Sequence, residues 1–154
     1  MGHLLIKDRV VLFDDADEAL LSGYQWHLHL TPTVTYVRGY PRGRRKDGLT
    51  YMHRLLTGAA RGEDVDHANG DGLDNRRPNL RRCTRSQNIG NRHAVASKTS
   101  PYKGVHFEGC TGRWRAEVQC DGKRYKLGRH DTAEAAHAAY KAKARELFGE
   151  FASG

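Results

Sequence analysis

The sequence predicts an α+β fold assembled from small modules, on three observations. Hydrophobic residues make up 38% of the 154 positions, enough for small sheets covered by helices but not for one large core. Residues 65–88 compress a strand, a Gly/Asp/Asn-rich loop, a second strand and the first turn of a helix into a unit too small to carry its own core. Between 102 and 128, three strand-prone runs joined by Gly-containing turns lead into an Ala-rich helical stretch.

Along the chain, the runs 4–6 and 10–13 flank a polar turn, Lys7-Asp8-Arg9, which predicts a hairpin. Asp15-Ala16-Asp17-Glu18 has the form of a capping box, continued by Ala19, Leu20 and Leu21 as a short helix. Runs 25–30 and 34–40 are expected to pair as strands, and 42–48 forms a basic loop that is either a solvated turn or a phosphate contact. Residues 1–50 are thus an N-terminal β-rich extension, and 51–95 hold the compact unit. The small polar stretch 96–100 reads as a linker, and 101–154 as a further module, with strands at 102–107, 113–119 and 123–128. Its helix is expected to open on a second capping box, Asp131-Thr132-Ala133-Glu134, and to stop at Gly149. Ala135, Ala136, Ala139, Tyr140, Lys143, Ala144 and Leu147 follow helical spacing, and the alanines let that helix lie close on a sheet.

The formal net charge is +8, with Lys and Arg spread over the whole length. That favours a polyanionic partner, nucleic acid foremost, over a merely basic soluble protein. Cys83, Cys110 and Cys120 make no C-x-x-C pair and read as reduced thiols of a cytoplasmic protein. No apolar run reaches the length of a membrane span, residues 1–8 are charged too soon for a signal peptide, and no lipidation pattern follows Gly2.

The chemistry gathers at Val65-Asp66-His67, Asn79-Leu80 and Thr84-Arg85-Ser86-Gln87-Asn88. Asp and Asn offer hard oxygen ligands to a Mg-like cation, and His titrates near neutrality and can take a proton from water. Together these residue types suit phosphodiester cleavage. A calcium loop at 69–80 fails, because its fifth position is Leu73 and its twelfth is Leu80.

His53-Arg54-Leu55, Val65-Asp66-His67, Asn69-Gly70-Asp71, Leu73-Asp74-Asn75, Asn79-Leu80-Arg81 and Thr84-Arg85-Ser86-Gln87-Asn88 make residues 51–92 similar to the HNH endonuclease family, in its phage and intron-associated homing variety. The resemblance implies a ββα-metal finger. In that frame Asp66 and Asn88 bind one divalent cation, Mg2+ or Mn2+, and His67 is the general base. Asn79 pins the loop so that the His67 ring is oriented, and Arg85 holds the scissile phosphate. Many relatives brace the finger with paired C-x-x-C zinc ligands; this chain has none, so no structural zinc is expected. His53 is read as a packing residue in preference to a second active-site histidine.

Tyr102-Lys103-Gly104-Val105, Gly112-Arg113-Trp114-Arg115-Ala116-Glu117-Val118, Tyr125-Lys126-Leu127-Gly128 and residues 132–140 resemble the AP2 DNA-binding domain. That family lays a three-stranded sheet in the major groove with a helix behind it. Alternation independently puts Trp114, Ala116 and Val118 on one face and Arg115, Glu117 and Gln119 on the other. The expected DNA-facing residues are Lys103, Arg113, Arg115, Arg124 and Lys126. The whole chain is then expected to be a DNA endonuclease acting on double-stranded DNA, with no membrane partner and a monomer favoured, in a bacterial or phage-infected cytoplasm. The rivals are a non-catalytic DNA-binding regulator and an RNA-binding accessory protein.

Overall fold

The computed structural model describes residues 1–91 and 100–152. The linker expected at 96–100 therefore lies outside the described residues except for Ser100, which is buried. The fold is α+β, with four small antiparallel sheets among the described residues. The chain divides into two compact units, Met1–Cys83 and Thr84–Gly154.

In the first unit, β1 (Gly2–Ile6) and β2 (Arg9–Phe13) form the expected hairpin, turned at Lys7 with φ 53°. A 3-10 turn (Asp15–Asp17) and α1 (Glu18–Ser22) follow. The capping box expected from Asp15 is not formed. Asp15 lies inside the 3-10 turn, and neither Asp14 nor Asp17 caps with its side chain. Both carboxylates are spent elsewhere: Asp14 Oδ2 accepts the Arg77 N–H at 2.8 Å, and buried Asp17 takes the Arg77 guanidinium through two bonds of 3.0 and 2.6 Å.

β3 (Tyr24–Leu30), β4 (Thr35–Pro41) and β5 (Thr50–Tyr51) make a three-stranded sheet in the order β3-β4-β5. α2 (Met52–Thr57) leaves β5 directly and ends at Gly58, whose left-handed φ of 60° lets its N–H reach back to the carbonyls of Arg54 and Leu55. The Arg54 guanidinium donates to the carbonyls of Glu63 (2.6 Å) and Ala60 (2.7 Å), tying down the turn into β6 (Asp64–His67). β6 pairs with β7 (Leu80–Cys83) in the register Asp66↔Arg81 and His67↔Leu80. One core joins these parts: Val11 and Phe13 of β2, Leu21 of α1, Val37 of β4, Met52 and Leu56 of α2, Val65 of β6 and Leu80 of β7. Residues 1–50 and the β6–β7 hairpin thus bury one another, which answers how so short a hairpin is supported.

The second unit opens with α3 (Arg85–Asn91), where Thr84 and Gln87 cap reciprocally: Thr84 N–H to Gln87 Oε1 at 2.9 Å and Gln87 N–H to Thr84 Oγ1 at 3.2 Å. Gly90 of α3 lies against the Phe148 ring so closely that a Cβ would stand 2.7 Å from it. β8 (Val105–Glu108), β9 (Arg113–Cys120) and β10 (Lys123–His130) form an antiparallel sheet with β9 central. The first strand starts three residues later than expected. Gly104 turns the chain at φ 68°, and a Cβ there would collide with the Glu117 carbonyl and the Tyr140 ring. α4 (Ala133–Phe148) covers one sheet face. Its buried stripe is Ala136, Tyr140, Ala144 and Phe148, while Ala135 is exposed, contrary to the sequence reading. Gly149 ends the helix as expected.

The cap of α4 also differs from the Asp131–Glu134 box. Thr132 is the cap, and its Oγ1 accepts the Ala135 N–H at 3.1 Å. Asp131 instead meets Arg113 at 2.9 Å on the exposed surface. Thr132→Ala is therefore expected to lower stability by about 1 kcal/mol, and Asp131→Ala by no more than a few tenths, roughly the value of an exposed ion pair. Urea unfolding of the full chain and both variants measures this, and an equal or larger loss for Asp131→Ala contradicts the assignment.

Candidate active site and nucleic-acid face

His67 ends β6 and is 4% exposed. A short strand packed on a shared core places it there, and the loop that follows closes over it. The loop is tied by its own polar side chains. Asn69 Oδ1 accepts the Asp71 N–H and Asp71 Oδ1 accepts the Leu73 N–H, both at 2.9 Å, as Asx turns do. Asn79 closes its base: the backbone carbonyl accepts the Ala68 N–H (2.9 Å), the side-chain Oδ1 accepts the Asn69 N–H (3.0 Å), and Nδ2 donates to the Asp74 carbonyl (2.7 Å). Buried Asp74 accepts from Asn69 Nδ2 at 3.0 Å and binds the Arg76 guanidinium at both oxygens, which holds its carboxyl below the usual range.

The N-terminal strands grip the same loop. Leu12 of β2 donates to the Leu73 carbonyl at 2.9 Å and accepts the Asn75 N–H at 2.8 Å. Gly72 sits so near β4 that a Cβ would lie 2.4 Å from the Thr35 carbonyl oxygen, so only glycine fits. Asn75 is wholly buried, and its Oδ1 stands 3.5 Å from His67 Nε2. An amide oxygen can only accept, so in this contact Nε2 is the donor and the ring carries its proton there. Sequence reasoning missed Asn75; the only signal for it was an uncharged amide next to Asp74.

Two rings stand against His67, and a third backs one of them. His53 of α2 meets it edge-on at 5.0 Å between centroids, and Tyr36 of β4 lies at 5.9 Å. Tyr51 stacks on His53 at 5.3 Å, and its hydroxyl bonds His29 Nδ1 at 3.0 Å. His53 is 8% exposed and its Nδ1 has no hydrogen-bond partner. Burial, then the neighbouring His67 and Arg54, push its pKa down to about 3. Burial also lowers that of His67, opposed by Asn75 and by the carboxylates of Asp66, Asp71 and Asp74. Two neutral imidazoles packed together are the outcome.

Asp66 is buried and paired with the Arg81 guanidinium across the hairpin at 2.5 Å. Asp66, His67 and Asn79 all belong to the first unit. Arg85 and Asn88 lie on α3 in the second, Arg85 exposed and Asn88 half-buried, with the Asn88 N–H on the Thr84 carbonyl. Among the described residues no group of three or more His, Cys, Asp or Glu side chains stands together as a metal cluster. The oxygen donors on hand suit a Mg-like ion, which keeps water and substrate phosphate as most of its ligands.

In the second unit, the sheet face away from α4 carries His106 and Glu108 of β8, Arg113, Arg115, Glu117 and Gln119 of β9, and Arg124 and Lys126 of β10, as the cross-strand register requires. The other face packs Trp114 and Leu127 on the core of Val105, Ala116 and Ala136. Arg129, which sequence reading did not name, joins the charged face. A register shift between Lys126 and Arg129, with Gly128 at φ 93°, puts it opposite Arg115 where simple alternation would turn it away. Glu108 binds Arg129 at 2.5 Å, which keeps its carboxyl below the usual range, and lies 3.4 Å from Arg115. Lys103 is corrected: it precedes the sheet, and its ammonium donates to the carbonyls of Ile89 and Gly90 at the end of α3.

The HNH endonuclease family model matches residues 50–89, and the AP2 domain model matches residues 100–149. Protein 3.8 of Escherichia phage T7 is 32% identical over 92 residues, covering 60% of this chain and 75% of the phage protein. The chain belongs to the family of Protein 3.8. The AP2-like ethylene-responsive transcription factor TOE2 of Arabidopsis thaliana is 47% identical over 49 residues, which are 32% of this chain but only 10% of that factor. No solved structure matches. The AP2 match falls within the second unit, so this member of the Protein 3.8 family carries the HNH match first and the AP2 match second.

The His53 value gives a pH dependence. Its pKa is lowered from 6.5 to about 3 in the folded chain, so below 6.5 the unfolded chain binds the extra proton. Stability is full above that pH and falls on acidification towards 3, by about 1.4 kcal/mol per pH unit from this group. Urea midpoints at pH 7 and pH 5 are expected to drop in wild type and to drop less in His53→Phe. An identical drop in both contradicts the buried neutral imidazole.

Proposed function

We propose that the protein is a metal-dependent HNH-type DNA endonuclease, held on double-stranded DNA by its AP2-like module. The observation that carries the reading is His67: a buried imidazole, kept neutral by its burial, with Nε2 on the Asn75 amide oxygen, behind a loop that Asn79 closes. Burial lowers its pKa, so the ring is neutral at pH 7, the protonation state that a general base needs.

In this reading His67 takes the proton from the attacking water, and Arg85 holds the scissile phosphate. Asp66 and Asn88 are the proposed ligands of a Mg2+ or Mn2+ ion. Arg81 orients Asp66, and a carboxylate with two oxygens can serve a guanidinium and a cation together. When bound, such an ion stabilises the charge that builds on the phosphate and on the leaving 3′-oxygen. The functional modules proposed are 51–95 for cleavage and 101–154 for targeting, joined at 96–100. Arg113, Arg115, Arg124, Lys126 and Arg129 are the donors proposed for phosphates and base edges. No helix among the described residues is long and apolar enough to cross a membrane; a monomer in a bacterial or phage-infected cytoplasm is part of the same proposal.

The rival is a non-catalytic DNA-binding protein. The Asp66–Arg81 pair favours it, because a guanidinium there neutralises the carboxylate without any cation. Supercoiled plasmid separates the two. Wild type is expected to cut it with Mg2+ or Mn2+ and to stop in EDTA. His67→Ala is expected to lose about 10²–10⁴ in rate with DNA affinity unchanged. Equal cleavage by His67→Ala and wild type, or none by wild type with either ion, defeats the nuclease reading.

A further inference from the structure

The sheet β3-β4-β5 has a face that the core does not use. Trp26, Leu28 and Val37 point into the core, so strand alternation turns Gln25, His27, His29, Arg38 and Tyr40 the other way. The register sets Gln25 opposite Tyr40, His27 opposite Arg38 and Arg38 opposite Tyr51. From residue 19 to residue 46 there is no Asp or Glu, while Arg38, Arg42, Arg44, Arg45 and Lys46 all fall in that span. The Arg45 guanidinium lies 5.4 Å above the Tyr40 ring, bringing the basic loop to one end of the face. No ion pair engages Arg38, His27 or Arg45 among the described residues; the one carboxylate of that loop, Asp47, is taken by Arg44 at 2.5 Å.

The other end of the face is the active site. Tyr36, four residues before Tyr40 on β4, touches both His53 and His67, and Tyr51 stacks on His53. The strip from Tyr40 to Tyr36 is therefore about 13–14 Å long. The sheet of the second unit is different in kind, because Glu108 and Glu117 stand among its cations.

We propose that the outward face of β3-β4-β5 is a DNA-backbone track, on which Arg38, His27 and Arg45 hold the phosphates next to the scissile bond and lead that strand to His67. The chemistry that fits is a linear run of phosphates: cations with no competing carboxylate, flanked by aromatic rings and an amide, on a rigid sheet. This deepens the nuclease reading and rests on it for the word scissile, but the binding itself is testable without cleavage.

The test measures affinity of the full-length protein for a random-sequence duplex at several salt concentrations, in EDTA so that no DNA is cut. Arg38→Gln is expected to weaken binding and lower the log–log salt slope by about 1, and Arg38→Gln with Arg45→Gln by about 2. Arg38→Lys is expected to restore most of the slope, since a phosphate accepts either cation. Lys7→Gln, at the exposed β1–β2 turn, removes the same charge away from the face and is expected to change the slope little. An unchanged slope in Arg38→Gln, or an equal fall in Lys7→Gln, overturns the track. Wild type that binds with these slopes but never cuts plasmid leaves the track standing and removes the nuclease reading instead.

Discussion

Two backbone hydrogen bonds from Leu12 govern the rest of the first unit, because they tie β2 to the loop on both sides of Asp74. Through them the N-terminal hairpin becomes a wall of the loop, and Asn75 is carried into the interior to face His67. The Asp17–Arg77 pair and the Asp14 contact repeat the attachment further along. A hairpin of two four-residue strands could not hold a polar loop in one shape by itself, since ordering each residue costs about 1–2 kcal/mol of backbone entropy. The shared core of Val11, Phe13, Val37, Met52 and Leu80 offsets that cost and keeps the loop from opening.

The same packing sets the chemistry. Burial makes the charged form of both His67 and His53 costly, so each stays neutral. A neutral His53 matters to its neighbour, for a cation 5.0 Å away would oppose any proton that His67 accepts. The surrounding carboxylates work in the other direction and stabilise His67 once it is charged. An imidazole that is neutral at rest but tolerates a proton is what general-base work requires.

Much of this could be read from the chain before any coordinates. Alternation in 113–119 and 123–127 predicted which sheet face is apolar, and Asp-His before a Gly/Asp/Asn loop predicted a histidine at a strand end. What escaped was long-range. Nothing local says that Leu12 bonds residue 73, that Asp17 answers Arg77, or that Tyr36 reaches His67; these pairs are far apart in sequence and carry no periodic signal. The two capping boxes misled for a related reason, since a side chain can cap only if no better partner competes for it: Asp15 meets the N-terminal ammonium and Asp131 meets Arg113. Arg129 was hidden by a bulge: alternation counts residues, and one extra residue at Gly128 reverses the count.

NMR of protein with 15N-labelled histidine reads the state of the His67 ring directly. His67 is expected to be the Nε2–H tautomer at neutral pH and to titrate below an unstructured histidine peptide measured alongside. A His67 ring that carries its proton on Nδ1, or that is charged at pH 7, would contradict this.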